Sequence, residues 1–465
     1  MSAMSADLRA VHQTPGRFDH WSVRQTHEAV WRIAWPSVLT FALMTTNSIL
    51  DRMFVGRLGR DALAAVGVGG QIMFVTVSVA MSITVGTTAL VARFTGAAEG
   101  KEAERAAGQS LGLGALIGLV SMAAIYISIS PLLSIMGVGG EAAAQCRSFL
   151  RYALLGLVPG NMGAVISAAF RGLGDTRSPL KVMLVANCVH IAGDWTPMLG
   201  HWGSPRLGLP GGGMAMAASM FVSLGMYGLL LRRSPIRGCL RIGQMVPGFG
   251  WAWRILRIGI PAAVAAVIRT TSMIGFTSIL SRTHEGINAV AALPIGLTAE
   301  SIAFMPGLGF SVAASALVGQ ALGAKSPDHA ARLGWASAYQ GVVVMTIMGG
   351  VFYLAAEPFA RLFTRDAAVV AIAANYLRIM AVSEPMLGFG MILTGGLQGA
   401  GDTVRPTVAT AVSFWLFRIP LAWLLALHLH KGASGAWVAM AATTILSGAI
   451  AIALFRDRRW TRIKV

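Results

Sequence analysis

Long apolar runs separated by short polar, glycine-containing segments set the pattern of this chain. Leu111 to Ile129 and Gly211 to Leu231 each run without a charged residue. A bilayer-spanning helix needs about 20 predominantly apolar residues, and about twelve stretches qualify. They are expected near 30–55, 63–93, 108–136, 148–171, 179–200 and 211–232, then near 253–281, 288–323, 332–357, 368–399, 406–428 and 433–455. Only helices and closed barrels satisfy their backbone inside lipid, so runs of this length predict an all-α membrane protein.

The pattern occurs twice. Phe170 to Pro179 reads FRGLGDTRSP, and Leu397 to Pro406 reads LQGAGDTVRP. Gly172, Gly174, Asp175, Thr176 and Pro179 recur as Gly399, Gly401, Asp402, Thr403 and Pro406, an offset of 227 (399 − 172). The same offset carries ALVARFTGA (Ala89–Ala97) onto ALVGQALGA (Ala316–Ala324). An internal repeat of this length predicts two six-helix lobes, an arrangement common among secondary transporters. The expected organisation is a cytoplasmic N-terminal segment (1–29), an N-terminal lobe (30–233) and a basic cytoplasmic linker (234–250). A C-terminal lobe (251–456) and a basic cytoplasmic tail (457–465) follow.

Each GxGDTxxP segment suits a tight turn. Glycine lets the backbone reverse, Asp or Thr caps the next helix, and proline fits its first turn. Both lobes also open with a proline in their first span, Pro36 and Pro261, where a kink is expected.

Composition agrees with burial in lipid. The chain is 55% hydrophobic and 12% charged, against about 25% charged for soluble domains. Its mean hydropathy is +0.66. The net charge of +18 does not signal nucleic acid, because the basic residues cluster in short loops. Arg232, Arg233, Arg237 and Arg241 lie between the lobes, and Arg456, Arg458, Arg459, Arg462 and Lys464 follow the last span. With a cytoplasmic N-terminus these fall on one side, as the positive-inside rule requires. Arg52, Arg57, Arg60 and Arg361 are exceptions. Cys146, Cys188 and Cys239 match no metal spacing and are expected as free thiols. Met1 to Glu28 lacks the apolar core of a secretory signal peptide.

Motif by motif, the chain resembles the multidrug and toxic compound extrusion (MATE) family. The resemblance rests on Pro36, DRMFVGRLG (Asp51–Gly59), the GxGDTxxP repeats and FMPGLGFSVAASALVGQALGA (Phe304–Ala324). It covers nearly everything from Val30 to Arg456, and is closest to the DNA-damage-inducible protein F-like branch. It implies two six-helix bundles around a central cleft, and export of organic cations against a proton or sodium gradient. A monomer in a bacterial inner membrane is implied, with no cofactor and no resident metal.

Charged groups inside a bilayer are costly and mark function. Asp51 lies 15 residues after Pro36 (51 − 36), about 22 Å along a helix, with Asn47 one turn earlier. Asp194 interrupts the span VMLVANCVHIAGDWTPML, with His190 and Asn187 on the same face at helical spacing. That stripe should face the lobe interior. Its repeat counterparts, Phe414, Phe417 and Leu421, predict no equivalent stripe in the second lobe.

Related members carry asparagine where this chain has His190, and some carry threonine where it has Ala218. Both changes remove oxygen ligands, and imidazole exchanges protons near neutrality, so proton coupling is expected over sodium. Acidic positions of another branch fall near Arg269 and Leu387. Arg269 is expected either to pair with Glu300 or to snorkel. If Asp51 and Asp194 are adjacent they could share a proton, whose entry from outside would weaken the hold on a cationic substrate before the lobes rock and release it inward. Phe74, Trp195, Met273, Phe276, Met305 and Phe310 are candidates to line an apolar cleft.

Two rival functions are weak. A flippase for a lipid-linked precursor calls for a strongly cationic cavity, for which only Arg269 and Arg282 stand out. An enzyme calls for a catalytic motif. Gly108 to Gly112, GQSLG, matches GxSxG, but it opens an apolar helix instead of a strand-to-helix turn. Small-residue helix packing is the expected role there. HExxH and the GxxxxGK[ST] phosphate loop are absent from the sequence.

Overall fold

The computed structural model describes residues 21–463. The expected N-terminal segment before Trp21, and Lys464 in the basic tail, lie outside the described residues. Helices dominate and the described residues contain no strand. Among the described residues, eleven helices are long and apolar enough to cross a membrane. In chain order they are α1 (Val23–Gly56), α2 (Arg60–Gly96), α3 (Gly100–Ile135), α4 (Gly140–Gly172), α6 (Leu209–Leu231) and α7 (Phe249–Leu280). Then follow α8 (Gly286–Gly323), α9 (Pro327–Leu354), α10 (Ala367–Gly399), α11 (Val404–His428) and α12 (Gly432–Arg456). The remaining expected span is α5 (Arg177–Gly193), which continues as a wide turn over Asp194–Met198. Pro36 and Pro261 sit inside α1 and α7 without ending either helix.

The chain packs as two compact units. One holds Leu39–Thr95 and Glu99–Gly259, and is called the N-terminal unit below. The other holds Ile260–Val465 with Gly96–Ala98 and the described residues up to Val38, and is called the C-terminal unit.

In the N-terminal unit Leu133, Leu150 and Leu154 are almost fully buried where α2, α3 and α4 meet. The linker belongs to this unit as an ordered strap. It forms a single 3-10 turn (Arg237–Leu240) and a one-turn helix (Ile242–Met245). The Gln109 side chain of α3 holds it. Its amide nitrogen donates to the carbonyls of Gln244 and Val246, both at 2.8 Å, and its oxygen accepts from the Gly248 N–H at 2.7 Å. The strap lies close because Gly112 has no side chain: a Cβ there would run into the Met245 carbonyl oxygen. The GQSLG segment is therefore a packing groove, as its apolar helical setting suggests.

In the C-terminal unit one core gathers Phe310, Leu397 and Phe455, and another gathers Phe276, Tyr376 and Trp437. Thr407 of α11 donates to the Pro261 carbonyl of α7 at 2.7 Å.

The repeated turns perform the same task twice. Gly174 and Gly401 adopt φ of +81° and +86°, the left-handed region that glycine enters at no steric cost. Gly172 lets α4 approach the Thr88 carbonyl of α2, and Gly399 lets α10 approach the Ser315 carbonyl of α8. Thr88 and Ser315 are themselves 227 apart (315 − 88). The two aspartates differ. Asp175 accepts from the N–H groups of Arg177 and Ser178, at 3.1 and 3.0 Å, and caps α5. Asp402 instead pairs with Arg405, which also reaches Asp457.

Candidate functional site

The polar residues singled out in the first and fifth spans meet within the N-terminal unit. On α1, Leu43, Asn47 and Asp51 recur at four-residue intervals and form one face. On α5, Asn187, His190 and Asp194 form another. The two faces join rung by rung. Asn187 donates its amide N–H to the Leu43 carbonyl at 3.1 Å. The Asn47 amide nitrogen lies 3.3 Å from His190 Nδ1. His190 Nε2 then lies 3.6 Å from Asp51 Oδ1 and 3.6 Å from Asp194 Oδ2. Asp51, placed this way, faces His190 instead of pairing with its neighbour Arg52.

Local structure places Asp194. Pro197 has no N–H to give to the preceding turn. The helix widens there, and the Leu199 N–H reaches back five residues to the Asp194 carbonyl at 3.2 Å. Such widened turns occur often at functional sites. Glycines bring α6 close: a Cβ at Gly193 would clash with Ala215, and one at Gly212 would come within 3.7 Å of Asp194 Oδ1. Asp194 is 2% exposed as a result.

The ligand atoms of Asp51, His190 and Asp194 all lie within 4.8 Å of one another. Asp51 Oδ1, Asp194 Oδ2 and Asn47 Oδ1 are buried and make no hydrogen bond. Buried polar atoms without partners are rare and call for an explanation. With both carboxylates ionised and the imidazole neutral, the site carries two negative charges. With it protonated, one negative charge remains. The site is thus built to take up one or two positive charges, and a proton or a small cation held by these oxygens would serve.

The apolar cleft candidates divide. Phe276 and Phe310 are fully buried in the C-terminal unit, against Trp437 and Trp31. They fill its core and offer no open surface, which corrects the expectation for them. Met273 packs partly buried on the same core as Phe276, and Met305 is half-buried on α8. Phe74 is 46% exposed. Trp195 lies next to Asp194, stacks on His201 at 4.2 Å and meets Phe54 edge-on.

Arg269 is exposed and forms no ion pair with Glu300. Glu300 belongs to a buried cluster with Tyr376, Glu384 and Arg418, which are 6%, 0%, 2% and 4% exposed respectively. Arg418 donates to Thr443 at 3.0 Å and Thr444 at 3.1 Å and stands 3.9 Å over the Phe414 ring. The positions at the repeat offset, Phe414, Phe417 and Leu421, are apolar, and this cluster stands on other positions of the second lobe. Arg418 lies between Phe417 and Leu421. A charged residue inside the run LFRIPL was the available signal.

The sequence matches the MatE family model over residues 36–196 and 261–424. It is 28% identical over 444 residues to a probable multidrug resistance protein NorM of Thermotoga maritima, covering 95% of this chain and 94% of that one. It is also 28% identical to a protein of the same description from Mesorhizobium japonicum, covering 99% and 97%. Among solved structures, the bent form of the Vibrio cholerae MATE transporter VcmN aligns with a TM-score of 0.84 at 23% identity, over 94% and 97% of the chains. A MOP superfamily transporter from Pyrococcus furiosus aligns with a TM-score of 0.85 at 22% identity, over 97% of each. Likeness at these identities speaks to the fold alone.

Proposed function

Because the chain belongs to the MatE family, we propose that it exports amphiphilic organic cations in exchange for protons by alternating access. It is a membrane transporter and not an enzyme. The observation that carries the exchange reading is the meeting of Asp51, His190 and Asp194 around unpartnered oxygens. A proton and a cationic substrate both relieve the same excess negative charge. Binding of one then weakens binding of the other, and this competition couples their movements when affinity differs between conformations. The multidrug-resistance descriptions of the NorM relatives support drug-like compounds as the substrate class, and the excess negative charge of the site favours cationic ones.

His190 favours protons over sodium as the exchanged ion. Sodium prefers a shell of oxygens, whereas here a ring nitrogen sits between the two carboxylates. The acids of α1 and α5, with Arg269 and Leu387 at the other branch's acidic positions, support the DNA-damage-inducible protein F-like assignment. A bacterial inner membrane, cytoplasmic termini and a monomer complete the reading.

The deciding experiment reconstitutes wild type and Asp51→Asn in liposomes and follows a fluorescent cation under a proton gradient, then under sodium alone. Proton-driven transport lost in the variant is the expected result. Sodium-driven transport of the wild type would reassign the ion. Wild-type rates in the variant would remove Asp51 from the mechanism.

A further inference from the structure

Arg361 breaks the charge asymmetry of the loops, and its surroundings explain why. It lies in a one-turn helix (Ala356–Arg361) between α9 and α10, at the end of α10 opposite the Gly399–Thr403 turn. There a cavity of about 570 Å³ is lined by Glu357, Arg361, Arg365 and Arg378, with Val370 and Ala374 on its apolar side. Three guanidiniums face one carboxylate, and that carboxylate is engaged by Arg361. Arg365 and Arg378 have no hydrogen-bond or ion-pair partner among the described residues.

Arg378 is the unusual member. It sits eleven residues into α10 (378 − 367), about 16 Å along the axis from the loop end. It is exposed on the outside of the unit. Long helical side chains lean toward the helix N-terminus, and Arg378 lines the same cavity as Ala367, Val370 and Ala374 on one stripe of α10. It therefore borders one cavity together with Arg361 and Arg365. An apolar wall on one helix stripe beside the uncompensated guanidiniums of Arg365 and Arg378 is complementary to a phosphate that carries an acyl chain.

We propose that this cavity binds the phosphate headgroup of an anionic glycerophospholipid, with one acyl chain along Val370 and Ala374. Guanidinium forks match phosphate oxygens, and Val370 and Ala374 give the attached chain an apolar surface. The site is distinct from the exchange site of the N-terminal unit and takes no part in its chemistry.

The test is native mass spectrometry of the purified, detergent-released protein with phosphatidylglycerol, phosphatidylcholine or inorganic phosphate added. Wild type should retain phosphatidylglycerol selectively, and inorganic phosphate should not displace it. Arg365→Gln and Arg378→Gln should each weaken retention about fivefold, as expected for one basic group at a membrane surface. Both changes are at exposed positions; if Arg378→Gln fails to fold, Arg365→Gln carries the test. Equal retention of both lipids, or undiminished phosphatidylglycerol retention by a folded variant, would overturn the site. Displacement by inorganic phosphate at matched concentration would reassign it to free phosphate.

Discussion

Asn47 and His190 meet across two helices through the amide nitrogen of one and Nδ1 of the other, 3.3 Å apart. With the amide donating, Nδ1 accepts and the neutral ring carries its proton on Nε2, the atom that faces both carboxylates. The ring thus holds its mobile proton toward Asp51 and Asp194 at 3.6 Å from each. Asn47 acts as a positioning residue, and the three ionisable groups form one unit.

Groups that act as a unit give non-additive losses. Asp51→Asn and Asp194→Asn should each reduce proton-driven transport to near background. The double variant should be no worse than either alone. Initial rates in liposomes at matched protein density check this, and multiplying deficits would mean that the two carboxylates work separately.

His190→Asn replaces a proton-exchanging ring with an oxygen-bearing amide of similar reach. Proton-driven transport should fall about tenfold, the scale of one coupling interaction, while sodium-driven transport should appear. Transport under each gradient imposed alone measures both. Unchanged proton-driven rates would leave His190 as packing.

Cys239 reports on the linker strap. Burial and then the Glu104 carboxylate push its thiol up to about 12. At pH 8 roughly one such thiol in ten thousand is ionised, and the thiolate is the reactive form. Labelling of Cys239 by a maleimide should be negligible at pH 8 and rise only as pH climbs toward 12. Gln109→Ala removes three hydrogen bonds to the strap, each contributing about 1 kcal/mol. Its linker should loosen, and Cys239 should label at pH 8. Mass spectrometry of the labelled peptide gives the answer. Equal protection in the variant would show that Gln109 does not hold the strap.

Arg418→Met should destabilise the C-terminal unit, by about 3 kcal/mol, because it leaves Glu300 buried without the nearby positive charge. Arg418→Met combined with Glu300→Gln should recover most of that loss. Thermal unfolding in detergent distinguishes the two. A single variant as stable as wild type would mean that the Glu300 carboxyl is already neutral.

Much of the fold was legible because bilayer crossing imposes length, and apolar runs state length directly. The ends of α8 and α10 fall within two residues of their expected limits. The exchange site was legible in part, since helical spacing puts Asn187, His190 and Asp194 on one face. The pairing of that face with Asn47 and Asp51 depends on how two helices pack, which spacing within either helix does not encode. The widened turn at Pro197 and the strap on Gln109 depend on individual hydrogen bonds. Glu300, the pair Tyr376 and Glu384, and Arg418 come from three helices, α8, α10 and α11, and only packing brings them together.

Gly172 on Thr88 and Gly399 on Ser315 make one crossing twice, at a constant interval of sequence. The carboxylates obey no such interval: Asp51 and Asp194 serve one half, Glu300 and Glu384 the other. Contact between backbones has therefore outlived the duplication that produced the two halves, while their ionisable groups diverged. Descent is written in the glycines of this protein, and its specialisation in the acids.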